Sequence, residues 1–181
     1  MSSLKRSPAF FVRGAEEVPC PCCTERLKII GSRERKVRGG GGELRQLVIR
    51  RLRCAGCRRI HHELPDLLIP YKRYDSRCIE QAVTEPEASV TACAETSTLR
   101  RWKVWFRVLS IYFILALQAL EARMSGLAPR SPEASDHLRM TSALAFRQQD
   151  PGWLARLVRP VANAHLWVHT RFAYLSAPAL R

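Results

Sequence analysis

Seven cysteines stand in a chain of 181 residues, and four of them form two Cys-x2-Cys pairs. Cys20-Pro21-Cys22-Cys23 and Cys54-Ala55-Gly56-Cys57 each bring two sulfurs into one tight turn. Zinc takes four soft ligands in a tetrahedron at about 2.3 Å, and two such turns facing each other meet that requirement. Pro21 pre-sets the backbone of the first turn, and Gly56 gives the second the freedom for a strained dihedral. The expectation is one structural Zn2+ held by Cys20, Cys23, Cys54 and Cys57. A shell of four thiolates is closed and leaves no position for an activated water, so the ion would support the fold and do no chemistry. Cys22 is an alternative to Cys23, although its spacing from Cys20 is poor ligand geometry. His61 and His62 are further substitutes for a cysteine. Strand alternation would send them to opposite faces, so at most one reaches the ion, and a surface role is expected for both. Cys78 and Cys93 fall in helical segments and read as buried small hydrophobes.

The elements that position these turns follow from the apolar pattern. Short strand-like runs cover Leu27 to Ile30 and Leu44 to Arg53, joined by Gly39-Gly40-Gly41-Gly42 as a flexible hairpin connection. Pro65 and Pro70 predict an extended linker from Leu64 to Tyr71. Beyond Tyr74 the period becomes helical. One short helix is predicted over Ser76 to Val83. A second starts at a capping box, with Thr84 as N-cap and Glu87 reaching back, and runs to about Cys93. Thr96 or Ser97 caps the third, whose inner face is Leu99, Trp102, Phe106, Leu109, Phe113, Leu117 and Leu120. Gly126 suits its C-cap. A Pro/Ser-rich break from Ala128 to Ser135 follows. A further helix starts at Ser135 or Asp136, and Pro151 and Pro160 divide the rest. The fold class is α+β: a small N-terminal zinc ribbon of β-hairpins, then a mainly helical region with a helix-turn-helix-like unit and one long helix. The divisions are 1–17 as a basic tail, 18–74 as the ribbon, 75–126 as the helix-turn-helix-like unit with the long helix, and 127–181 as a C-terminal helical segment.

The charge narrows the choice of partner. Thirty Lys and Arg against sixteen Asp and Glu leave a formal +14, and half of the basic residues lie between Arg26 and Arg77. A polyanion is the simplest compensation for such self-repulsion, and an Arg-rich surface suits phosphate and guanine contacts. Double-stranded DNA is the expected partner, contacted by Arg50, Arg51, Arg53, Lys72 and Arg73 from the ribbon. Ser97, Thr98, Arg100, Arg101 and Lys103 would contact it from the start of the long helix, where a recognition helix reads the major groove.

The run Arg50-Arg51-Leu52-Arg53-Cys54-Ala55-Gly56-Cys57, with Cys20-Pro21-Cys22-Cys23, Leu64-Pro65 and Tyr71-Lys72-Arg73-Tyr74, resembles the zinc ribbon at the N-terminus of certain insertion-sequence transposases. The chain resembles more closely a family of small uncharacterised bacterial proteins with the same ribbon-plus-helix layout, and that likeness extends into Trp153 to Ala173. The resemblance implies DNA binding and an association with mobile elements, including a transposase as a protein partner. Two departures stand out: Thr24 replaces the usual glycine after the first cysteine pair, and no acidic catalytic triad follows the helices.

No nucleophile motif, phosphate loop or dinucleotide fingerprint occurs. His165 and His169 have zincin spacing, but the segment lacks the required Glu after its first His, so a packed or surface pair is expected. The expectation is a non-enzymatic, zinc-stabilised DNA-binding factor with no small-molecule substrate, a transposon-related accessory or regulatory protein. The alternatives are a membrane-associated protein anchored by the Trp102 to Leu120 helix, or a protein–protein adaptor. Membrane insertion is disfavoured by Arg107 and Gln118 within that helix. Met1 to Arg13 lacks a secretory pattern, so the expected location is cytoplasmic, associated with the nucleoid.

Overall fold

Arg50, Leu52 and Cys54 alternate with Leu47, Ile49 and Arg51 along one 11-residue strand, and that alternation organises the molecule. The computed structural model describes residues 9–14, 19–86, 90, 94–126, 151–167 and 173–175. They form a mixed α+β structure in which four strands are followed by three helices and a short fifth strand that joins the same sheet. The strands are β1 (Ala9–Phe11), β2 (Leu27–Arg38), β3 (Leu44–Cys54), β4 (Ile60–Leu64) and β5 (Ala173–Leu175). The helices are α1 (Ser76–Thr84), α2 (Thr96–Ser125) and α3 (Trp153–Asn163). The predicted second short helix lies largely outside the described residues, as do Cys93, the segment around Ser135 and Asp136, His169 and most of the basic tail.

Strand β3 is central. Antiparallel β2 lines one side of it from Leu27↔Cys54 to Arg38↔Leu44. On the other side, β1 runs parallel to its first half and β4 antiparallel to its last residues. The glycine run closes the β2–β3 connection as expected. Gly39 donates to the Glu43 carbonyl at 2.9 Å, and Gly42 adopts φ +84°, which glycine reaches without a Cβ clash.

The two faces of the sheet have different fillings. Val37, Leu47, Ile49 and Leu64 are buried on one face and join α1, α2 and α3 in a single apolar core. That face is sealed by aromatic contacts. Phe106 meets Trp153 edge-on at 5.2 Å, Phe113 stacks on Trp167 at 5.4 Å, and Tyr74 meets Trp102 edge-on at 4.9 Å. Such pairs add about 0.5–1.5 kcal/mol beyond the area they bury. The opposite face carries Leu52 beside its cross-strand partner His61, the ion pair of Arg50 with Glu63, and Cys54.

The long helix follows its predicted inner face at Leu99, Trp102, Phe106 and Phe113, and it ends on Gly126 at φ +67°. Its N-cap is Glu95 with no side-chain cap bond, in place of Thr96 or Ser97. Its outer side is also apolar: Val104, Val108, Ile111 and Leu115 are all exposed. Helix α3 starts on a distant cap. The buried Glu80 of α1 accepts from the Gly152 and Leu154 amides at 2.7 and 2.9 Å, satisfying donors that a helix N-terminus leaves open.

Three local expectations are corrected. The segment Leu64 to Tyr71 is no linker, because Leu68, Ile69 and Pro70 are buried and their turns close onto the helical core. Thr84 ends α1, donating its hydroxyl to the Glu80 carbonyl, so it does not start the next helix. Pro160 lies inside α3 and does not divide it. Burial of Val158, Val161 and Ala162 around it outweighs one lost backbone bond.

Candidate metal centre

The two cysteine turns are built alike. Cys20 N–H donates to the Glu25 carbonyl at 2.9 Å, and Cys54 N–H donates to the Arg59 carbonyl at 3.0 Å. Each turn leaves through a left-handed residue directly after its second cysteine, Thr24 at φ +63° and Arg58 at φ +62°. Six residues thus fold back on themselves in each turn. The turns are stitched together by Ala55 N–H, which donates to the Arg26 carbonyl at 3.0 Å.

The expected ligand set converges. Sγ of Cys20 and Cys57 are 3.7 Å apart, those of Cys23 and Cys54 are 3.4 Å apart, and all four lie within 4.8 Å of one another. Four thiolates around an ion at about 2.3 Å would be separated by about 3.8 Å along each tetrahedral edge. The donors fit a structural metal ion without rearrangement of the backbone. Burial pushes the Cys20 thiol well above its ordinary range, because a thiolate there would lose its water. A divalent cation reverses that preference and takes the thiol's proton away.

The surroundings correct the reading of several neighbours. His61 is not a surface residue: it is 0% exposed, with Nε2 3.3 Å from Cys20 Sγ. Burial, followed by the charges of His165, Arg59 and His62, lowers its pKa to about 4. Strand alternation does separate the two histidines, and His62 is half-buried on the other face beside its strand partner Arg51. Cys22 belongs to the cluster despite its spacing, since its sulfur falls within 4.8 Å of those of Cys20 and Cys57 and of the His61 ring. Gly56 serves close packing and not a strained dihedral, because a Cβ there would sit 2.8 Å from Glu25 Cγ. The left-handed position falls instead on Arg58 and, in the first turn, on Thr24. Cys78 is buried as expected, and burial with the nearby Asp75 and Glu43 raises its thiol to about 11.

The basic residues sort into two groups. Arg50 is held by both oxygens of Glu63, which is 0% exposed and also accepts from Gly14 N–H at 2.6 Å. Lys72 lies 4.2 Å over the Trp105 ring, and Lys103 donates to the Glu85 carbonyl at 3.1 Å. Arg53, Arg73, Ser97, Arg100 and Arg101 are exposed, with Arg51 and Thr98 half-buried. Two residues outside the sequence-based set join Arg51. Arg33 and Arg35 share its face of the sheet, and with it they lower the pKa of His62 after the effect of burial. Their i, i+2 spacing in a basic strand was the available signal. Arg35 also donates to the Lys72 carbonyl at 3.0 Å, tying this patch to the turn that precedes α1.

Residues 20–102, just under half of the chain, match the profile of a family described as a domain of unknown function (DUF6431). No curated protein and no solved structure matches the chain. The matched stretch begins on Cys20 and ends on Trp102, so the chain is similar to that family across both cysteine turns, α1 and the start of α2.

Proposed function

We propose that this is a double-stranded-DNA-binding protein whose fold is stabilised by zinc, a transposon-related accessory or regulatory factor with no catalytic role of its own. One observation carries the reading: Arg33, Arg35, Arg51 and His62 share one face of the sheet, where burial first and then the three guanidiniums disfavour protonation of the imidazole. Like charges drawn together on one sheet face destabilise the protein unless a polyanion neutralises them. Arg73 adds to the field at Arg35. Arg100 and Arg101, exposed at the start of α2, extend the basic surface towards a helix that would enter the major groove in a helix-turn-helix arrangement. Zinc is the preferred ion because a closed shell of thiolates suits its softness and tetrahedral habit. The mobile-element association rests on the likeness of the cysteine turns and the Arg50 to Cys57 run to transposase ribbons.

A salt titration of duplex binding tests the reading. Affinity should fall linearly on a log–log plot as salt rises, and Arg33→Ala or Arg51→Ala should each reduce that slope by about 1. Arg100→Ala or Arg101→Ala should relax sequence preference. Binding indifferent to salt, or none, defeats the proposal. Capture of a transposase with no DNA affinity would replace it with the adaptor reading.

The outer row of α2 favours a second reading, attachment to a membrane surface. By length and composition α2 is the one helix among the described residues able to cross a bilayer. Its Leu99, Trp102, Phe106 and Phe113 side is occupied by the protein's own core, so only the Val104, Val108, Ile111 and Leu115 side is available to lipid. Recovery of the protein in a detergent-free soluble fraction would remove this alternative.

A further inference from the structure

The cysteine cluster holds more donors than one ion can use. Cys20, Cys23, Cys54 and Cys57 form one tetrad, and Cys20, Cys22, Cys57 and His61 form a second whose ligand atoms also lie within 4.8 Å of one another. The two tetrads share the Cys20–Cys57 edge, which is 3.7 Å long. We propose that the centre binds two divalent ions, with the Cys20 and Cys57 thiolates bridging them. Cys23 and Cys54 complete the shell of one ion, and Cys22 and His61 complete the other.

Geometry, charge and burial support the pair. Tetrahedra that share an edge need two sulfurs common to both and two private donors each, which is the arrangement these six residues present. A sulfur and an imidazole nitrogen on one zinc ion would be separated by about 3.6 Å, given Zn–S near 2.3 Å and Zn–N near 2.0–2.1 Å. The Cys20 Sγ to His61 Nε2 separation is 3.3 Å. One ion with four thiolates carries a net charge of −2, before any contribution from Cys22. Two divalent ions with five thiolates and a neutral imidazole carry −1, beside the Arg59 guanidinium, whose charged form the neighbouring Cys22 sulfur favours. A fully buried histidine with its ring nitrogen at a thiolate cluster, five sulfurs and one nitrogen in all, is a larger donor set than a single closed shell needs.

The inference rests on the metal-site reading above, and the test separates the two. Full-length protein is saturated with zinc, freed of excess ion and weighed by native mass spectrometry. Two ions per chain are expected, falling to one in Cys22→Ser and in His61→Ala. Cys22 is only half-buried, so Cys22→Ser decides the question if His61→Ala does not fold. Cadmium-113 NMR of the wild-type protein should give two resonances, one from an all-sulfur shell and one shifted towards a mixed sulfur–nitrogen shell. One ion per chain, with His61 only donating a hydrogen bond to Cys20, overturns this inference and leaves the single-ion reading intact. Two ions that persist in both variants also overturn it. No bound ion overturns both.

Discussion

The two faces of the sheet reach stability by different means. On the helical face, Val37, Leu47, Ile49 and Leu64 meet a layer rich in aromatic rings, and burial of apolar surface supplies the cohesion. On the cysteine face Leu52 is buried beside sulfur, imidazole and an Arg50–Glu63 ion pair. Such polar groups lose hydration when buried and add little net cohesion by themselves. One face is held by area, and the other presents a cysteine cluster that a metal ion could hold together. The lesson is that a sheet too narrow for two hydrophobic cores can still be covered on both sides, provided a metal does the work of the second core.

Metal removal should break the comparison most severely. Apparent binding free energies for structural zinc are about 10–16 kcal/mol, so a chelator should release the cysteine turns and expose their thiols to a thiol-reactive dye. All four tryptophans, Trp102, Trp105, Trp153 and Trp167, belong to the helical side. Their emission should change little as the thiols appear; a simultaneous red shift would mean the two faces form one cooperative unit. Phe113→Ala attacks the other face. Its side chain is fully buried, so denaturant unfolding should show a loss of about 3–5 kcal/mol with metal content unchanged. Glu80→Ala removes the shared cap of α3 and should cost about 1–3 kcal/mol in the same assay, again without affecting the metal. The smallest effect belongs to the cysteine face. Arg58→Gly relieves a left-handed residue and should stabilise the metal-bound protein by about 0.5 kcal/mol, read as a higher melting temperature.

Legibility in the sequence followed the range of the interactions. The four cysteines were readable because Cys-x2-Cys spacing is a local signal, and the inner face of α2 because its period is helical. His61 was not, since alternation told that the histidines part but not which face lay under the cysteines. The role of Thr24 and Arg58 was hidden for a similar reason: a left-handed residue after the second cysteine is a property of the closed turn, and neither residue type advertises it. Leu68 and Ile69 were obscured by the prolines beside them, which signal extended chain whether or not the segment is buried. Arg50 looked like its neighbours Arg51 and Arg53, and only its contact with Glu63, 13 residues away, set it apart.

Glu80 lies within residues 20–102, whereas the amides it grips belong to Gly152 and Leu154. A fragment cut at residue 102 would therefore keep both cysteine turns yet leave that carboxylate ungripped. It would also strip Phe113, Trp153 and Leu154 from the oily side of the sheet. Such a shortened product would clump or recruit a substitute cover, so any attempt to prepare the cysteine turns in isolation should carry the chain through at least Trp167.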